Sequence, residues 1–204
     1  MPSLILCALL AVSGPERAIA RQHKLPAAPP PAEASSADPG AGYTDEDVRE
    51  QVRAYLGTID TPIPASRWKA LGPRAEPILH ALAADRSNLP TQRAKAVDGL
   101  TAVASNRTAG LLLGLAAGED EPLVVRLSAL RGLGNLLPAR KLVAQLKPLL
   151  EGAGDSRVRA GAGEVLARHV PAAACAAVKA QIAREDEEIK GQFGKALDRC
   201  FPAR

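Results

Sequence analysis

Aromatic residues are nearly missing from this chain: one Trp, two Tyr and two Phe in 204 positions, 2% of the total. That excludes a core built on rings and leaves burial to aliphatic side chains. β-Branched residues are also sparse while Ala and Leu abound, so the usual material of strands is lacking and an all-α fold is favoured. Only three Cys are present, and His23, His80 and His169 lie far apart, so no metal-ligand spacing exists and no metal is expected. Nor does a Gly-rich phosphate loop precede a strand, and no cofactor is expected. The net charge of +4 is mild and scattered, without the basic stripe that marks a nucleic-acid-binding surface. The one long apolar run, near the N-terminus, spans about ten residues and is too short to cross a bilayer as a helix.

That run, Ser3 to Ser13, with the small residues of Ala18-Ile19-Ala20 behind it, has the outline of a secretory signal peptide over residues 1–20, although a positive n-region is missing. Export to the periplasm or beyond is the expectation, with cleavage after Ala20. A lipid anchor through Cys7 fits less well, because Leu4-Ile5-Leu6 lacks the small residue expected before a lipidated Cys. Residues 21–43 are rich in Pro, Ala and Ser, with Pro26-Ala-Ala-Pro-Pro-Pro31 at their centre, and read as an extended linker. Folded sequence runs over 44–204, where Thr44 is placed to cap a helix that starts with Asp45-Glu46-Asp47.

What the chain has in place of aromatics is a repeat. Arg93, Arg126, Arg159 and Lys190 stand 33, 33 and 31 positions apart, each early in a predicted helix. Three positions on come Ala96, Ala129, Ala162 and Phe193, and seven on come Leu100, Leu133, Leu166 and Leu197. A fixed period of this size implies stacked units, because each leaves an apolar face that only its neighbour buries. A fifth copy starts at Val48-Arg49, separated from Arg93 by 44 positions, with the excess falling as an insertion in Thr58 to Gly72 around Trp68. Second helices lie between the anchored ones, where Leu79 and Leu82 return as Leu112 and Leu115. The prediction is about five stacked helix pairs.

Asp155-Ser156-Arg157-Val158-Arg159, followed by Ala162 and Leu166, fits an Asp-x-x-Val-Arg-x-x-Ala-x-x-x-Leu pattern, and Glu121 to Gly134 is a second copy. In these motifs the chain resembles the HEAT-repeat family, in the short bacterial form also seen in phycobilisome-lyase-like proteins. It departs from the pattern at Asn88 to Gln92, where the acid and the Val are missing, and at Phe193, where a ring replaces Ala. The resemblance implies a right-handed α-solenoid whose second helices line the concave surface. It also implies that the anchor arginines pair with loop acids as a structural ladder.

Arg74, Arg107 and Arg140 form a second ladder, again spaced 33 and 33, at the starts of the second helices. With Lys141, Lys147, His80 and Trp68 of the insertion, they are the candidate partner-binding residues, on an inner face expected to be more basic than the outer one. Asn106-Arg107-Thr108 matches a glycosylation sequon but also sits where a helix cap belongs. Cys175 and Cys200 would share an oxidising compartment. Level-counting along antiparallel helices offsets them by about 7 Å, which favours two small hydrophobes over a disulfide. No catalytic constellation is visible, so the leading expectation is a non-enzymatic scaffold that holds a protein or peptide, possibly acidic. The resemblance also implies a tetrapyrrole lyase as the alternative; a third reading is a purely structural organiser of an envelope complex.

Overall fold

Thr44 opens the folded sequence with a reciprocal cap: its hydroxyl accepts from the Asp47 N–H at 3.2 Å, and the Asp47 carboxylate accepts from the Thr44 N–H at 2.7 Å. Helix α1 (Asp45–Gly57) starts there and buries Val48, Val52 and Leu56, the spacing of one helix face. The computed structural model describes residues 42–58, 61–105 and 107–201. The predicted signal peptide with Cys7, the linker as far as residue 41 and Asn106 of the sequon lie outside the described residues. Then come α2 (Ala65–Ala70), α3 (Ala75–Ala84), α4 (Pro90–Val103), α5 (Thr108–Ala117), α6 (Leu123–Leu136) and α7 (Ala139–Gly152). They are followed by α8 (Ser156–His169), α9 (Pro171–Ile182), α10 (Glu187–Lys190) and α11 (Gly194–Cys200), the last two joined by a 3-10 turn at Gly191–Phe193. Among the described residues there is no strand.

The anchors fall on α1, α4, α6, α8 and the broken α10–α11 segment, and α3, α5, α7 and α9 are the second helices. Pro90 and Pro171 occupy first helical positions, where a missing N–H costs nothing, while Pro122 stands one place earlier as the cap of α6. The anchor helices pack on one another in chain order, α4 on α6, α6 on α8 and α8 on α11. Small residues let them approach. A Cβ on Gly99 would come within 3.0 Å of the Trp68 ring, and one on Gly134 within 2.7 Å of Val165 and 2.9 Å of His169 Nε2. The second helices supply leucines, with Leu79, Leu112, Leu142, Leu146 and Leu150 in one continuous core beside Leu100, Leu133 and Leu166.

Trp68, expected among the partner-binding residues, is only 2% exposed. Its ring meets Tyr55 edge-on, with centroids 5.1 Å apart, and fills the space that Gly99 leaves open. It anchors α2, the helix formed by the insertion, against α4. Phe193, the other departure from the pattern, is fully buried in the 3-10 turn beside Gly163.

The anchor arginines are architecture. Arg93 Nε donates to the Ala83 carbonyl at 2.9 Å and Arg126 Nε to that of Ala116 at 3.1 Å, each capping the last turn of the preceding second helix. Acids reach them from the next unit: Arg93 Nη2 lies 2.7 Å from Glu121 Oε2, in ion contact without hydrogen-bond geometry, and Arg159 makes a two-pronged pair with Glu185 at 2.6 and 2.5 Å. Asp155 and Asp186 stand four residues before Arg159 and Lys190, but neither forms an ion pair with its anchor. Asp155 is spent as the cap of α8, accepting from the Arg157 N–H and its guanidinium, and Lys190 turns to Glu187 at 2.7 Å. Arg49, in the first unit, stays on the surface beside Glu46.

Hydrogen bonds from Arg159 hold the Glu185 carboxyl below its ordinary value of 4.5; burial opposes them, and Gln181 Nε2 is a further donor. A lowered folded-state pKa means that the pair's contribution is full above the unfolded value and is lost as pH falls through the folded one. Glu185→Gln is therefore expected to flatten the fall in stability on acidification below 4.5, measured by urea unfolding at stepped pH. An unchanged acid slope would show that the pair is not a determinant.

Cys175 and Cys200 form a disulfide, with their Cα atoms 5.4 Å apart. This corrects the sequence-based expectation, which counted residue levels along a straight rod. The last anchor segment is not a continuous α-helix: it passes through a 3-10 turn at Gly191–Phe193, and α11 packs against α9.

Candidate functional site

Four of the five anchor segments turn the same register positions outward; in α1 the corresponding residue, Ala54, does not line the groove. The residue five places after the anchor is Asp98 on α4, Arg131 on α6, Glu164 on α8 and Lys195 on α11, and all four line one groove of about 870 Å³. Helical periodicity explains the rest of the lining, because the residues one turn to either side share that face. One turn back stand Leu127, Ala160 and Gly191; one turn on stand Ala102, Asn135 and Arg168. The charges thus run between a row of small or apolar residues on one side and a mixed row with Asn135 and Arg168 on the other. Ala65 and Lys69 of α2 line one end, and Gly191, Gln192 and Gly194 of the broken segment line the other.

The four central side chains alternate in sign along the chain order: acid, base, acid, base. Arg131 Nη2 approaches Asp98 at 3.9 Å and donates to Ser128 Oγ at 2.7 Å. Asp98 and Arg131 remain 54% and 53% exposed, so their contact is a weak one, open to exchange. Glu164 is shared between Arg168 at 3.0 Å and Arg199 at 3.8 Å, while Arg157 is tied to Asp155. Desolvation among the helices raises the Asp98 carboxyl above its usual range against the opposing charge of Arg131. Desolvation, then the charges of Arg168 and Arg199, lower the His169 imidazole below its ordinary value. Among the described residues no group of three His, Cys, Asp or Glu side chains is placed to share a metal ion.

The sequence-predicted site residues lie elsewhere. Arg74 and Arg107 stand at the N-cap positions of α3 and α5 without a side-chain capping bond, and Arg140 is the second residue of α7, so the second ladder falls at helix starts. Arg107, Arg140, Lys141 and Lys147 are exposed, and His80 is half-buried on α3. Lys147 pairs with Glu151 at 3.8 Å. None of these is among the lining of the large groove. Arg74 instead donates to the Tyr43 carbonyl at 2.6 Å and borders a smaller groove of about 530 Å³ with Arg49, Arg53, Ile78 and Leu82. The anchor-helix residues that do form the large groove were visible as a register position, five after each anchor, whose signs alternate.

No protein-family model, curated protein or solved structure matches the chain. Among the described residues no helix is long and apolar enough to cross a membrane.

Proposed function

We propose that the chain is a HEAT-like α-solenoid that acts as a non-enzymatic, exported scaffold and holds a segment of a partner protein in the anchor-helix groove. The ordered packing of α4, α6, α8 and α11 supports the solenoid reading, as does the 33-residue register that survives in the buried positions. Small residues on the anchor side draw those helices together, so the stack is taken to curve toward them. One observation carries the binding reading: four successive anchor segments place one register position in a single groove and alternate its charge. A surface kept only for solubility has no need of that constancy. The Cys175–Cys200 disulfide supports export, since such bonds persist in oxidising compartments. The groove offers both signs, so the partner surface is mixed in charge rather than simply acidic.

Site-specific photo-cross-linking in the native envelope tests this. A photo-reactive residue at Asn135, in the groove, is expected to capture a discrete partner at low salt, and a combined Arg131→Glu and Lys195→Glu change is expected to abolish capture. Capture from Lys141 or Arg107 together with none from Asn135 would move the binding face to the second helices and overturn the proposal.

A further inference from the structure

One wall of the groove is built from the shortest pieces of the fold. Gly191, Gln192, Gly194, Lys195 and Asp198 line it, and they belong to the 3-10 turn and to α11, a helix of seven residues. Helices shorter than about 12 to 15 residues are marginal on their own, so this wall depends on what fastens it. At its start Phe193 is fully buried, with Ala196 buried three residues on. The polar ties are slight: the Ser156 hydroxyl donates to Gln192 Oε1 at 3.0 Å on the surface, and Arg199 reaches Glu164 only at 3.8 Å. At its far end stands Cys200, bonded to Cys175 of α9. Among the described residues none of α9 lines the groove, so the bond ties the wall to a helix outside it, one that packs on α7 and α8. Lys195 and Asp198 thus lie between a buried ring and a covalent tie.

We infer that the Cys175–Cys200 bond completes the groove, so that the oxidised chain is the form that binds and the dithiol form is not. This rests on the groove being the binding site proposed above. Oxidation proceeds by exchange with a small disulfide, RSSR: its S–S bond breaks as the bond between the two Sγ atoms forms, and the electron pair and both thiol protons leave on two RSH molecules. A dithiol reverses the step. Both cysteines are only partly buried, at the edge of the core rather than within it. In the reduced chain Phe193 stays seated while α11 frays from its far end, carrying Lys195 and Asp198 out of line. Helices α4 and α6, with Asp98, Arg131 and Asn135, are held by their own packing and keep the rest of the groove. A chain made in a reducing compartment therefore has an incomplete groove and gains it on reaching an oxidising one. The coupling is reciprocal: an occupant that touches Lys195 or Asp198 favours the bonded form and makes the bond harder to reduce.

The test has two arms. In the purified chain, NMR amide shifts are compared in dithiothreitol and in oxidised glutathione. Those of Gln192, Lys195 and Asp198 are expected to move or broaden on reduction while those of Asp98, Thr101 and Asn135 stay in place. Unchanged shifts at Lys195 and Asp198 would overturn the inference, and so would collapse of the whole spectrum, which would mean that the bond holds the fold rather than the groove. In the native envelope, a photo-reactive residue at Asn135 reports occupancy. Reduction is expected to lower capture by about tenfold, within the range usual for coupled sites, and reoxidation to restore it. Cys175→Ser with Cys200→Ser is expected to capture as little without any reductant, which assigns the effect to this chain and not to a disulfide of the partner. Full capture by that double variant, or by the reduced chain, would overturn the inference and leave the groove as a binding site. No capture from Asn135 in either redox state would overturn the groove reading itself.

Discussion

Glu121→Ala is expected to lower the stability of the folded chain by about 3 to 5 kcal/mol, the cost of stripping one partner from a buried ion pair. Arg93 is 2% exposed and the Glu121 side chain 6%, so removing the acid leaves a buried guanidinium without its ion-pair partner between two units. Arg86, which also meets Glu121 at 2.8 Å, is largely exposed and makes no comparable demand. Arg86→Ala is accordingly expected to cost less than about 1 kcal/mol. The double replacement Arg93→Met with Glu121→Leu should recover most of the loss, because two apolar side chains of similar size remove the charge problem at both ends. Urea unfolding followed by circular dichroism, arranged as a double-mutant cycle, measures the coupling. A loss below 1 kcal/mol for Glu121→Ala, or no recovery in the double variant, would show that the pair does not hold the units together.

The second large effect is expected at the other end of the chain. Replacing both Cys175 and Cys200 by Ala opens a closed loop of 25 residues, which on the chain-entropy treatment destabilises by about 3.5 kcal/mol. The loss should be local. Helix α9 packs on α8 and α7, and α11 on α8 and α9, so the bond secures the terminal unit rather than the middle of the stack. Hydrogen exchange is therefore expected to accelerate in α9 and α11 by two orders of magnitude or more while α4 and α6 change little. Uniform acceleration throughout would mean that the described residues unfold as one cooperative unit and that the bond's effect is global.

Much of the architecture was legible because burial enforces periodicity. Val48, Ala96, Leu100, Ala129, Leu133, Ala162 and Leu166 are all at the positions the register assigns to the core, and all are buried. Ion-pair partners were less legible. Asp155 stands four residues before Arg159, yet its carboxylate caps α8, and Glu185 reaches Arg159 from 26 positions away. Local spacing does not reveal a competing backbone donor. The disulfide was missed for a related reason: level-counting assumes a continuous helix, and the break at Gly191–Phe193 has only its flanking glycines and Phe193 as a signal. The anchor-helix groove was not read from the sequence, because the resemblance directed attention to the second helices rather than to residue size. Gly99, Gly132, Gly134, Gly161 and Gly163 all fall on anchor helices, and that crowding of small residues marks the side on which helices come closest.

Trp68 and Phe193 carry a related lesson. Both are rings in a chain with few of them, and both are buried beside a glycine of a neighbouring anchor helix. Neither offers a face to a partner. Each instead props the irregular element at one end of the groove, α2 or the 3-10 turn, so the residues that look most like binding anchors act by shaping the site.

The number of charged positions along the groove has a consequence of its own. Asp98, Arg131, Glu164 and Lys195 begin on an acid and end on a base, so the row differs from its mirror image. A partner segment laid in the reverse direction meets like charges at every one of them. Three or five positions in strict alternation would form a palindrome and accept either direction equally. Loss of the 33-residue unit at either end of the row would therefore do more than shorten it: it would erase the groove's ability to tell the two ends of its partner apart.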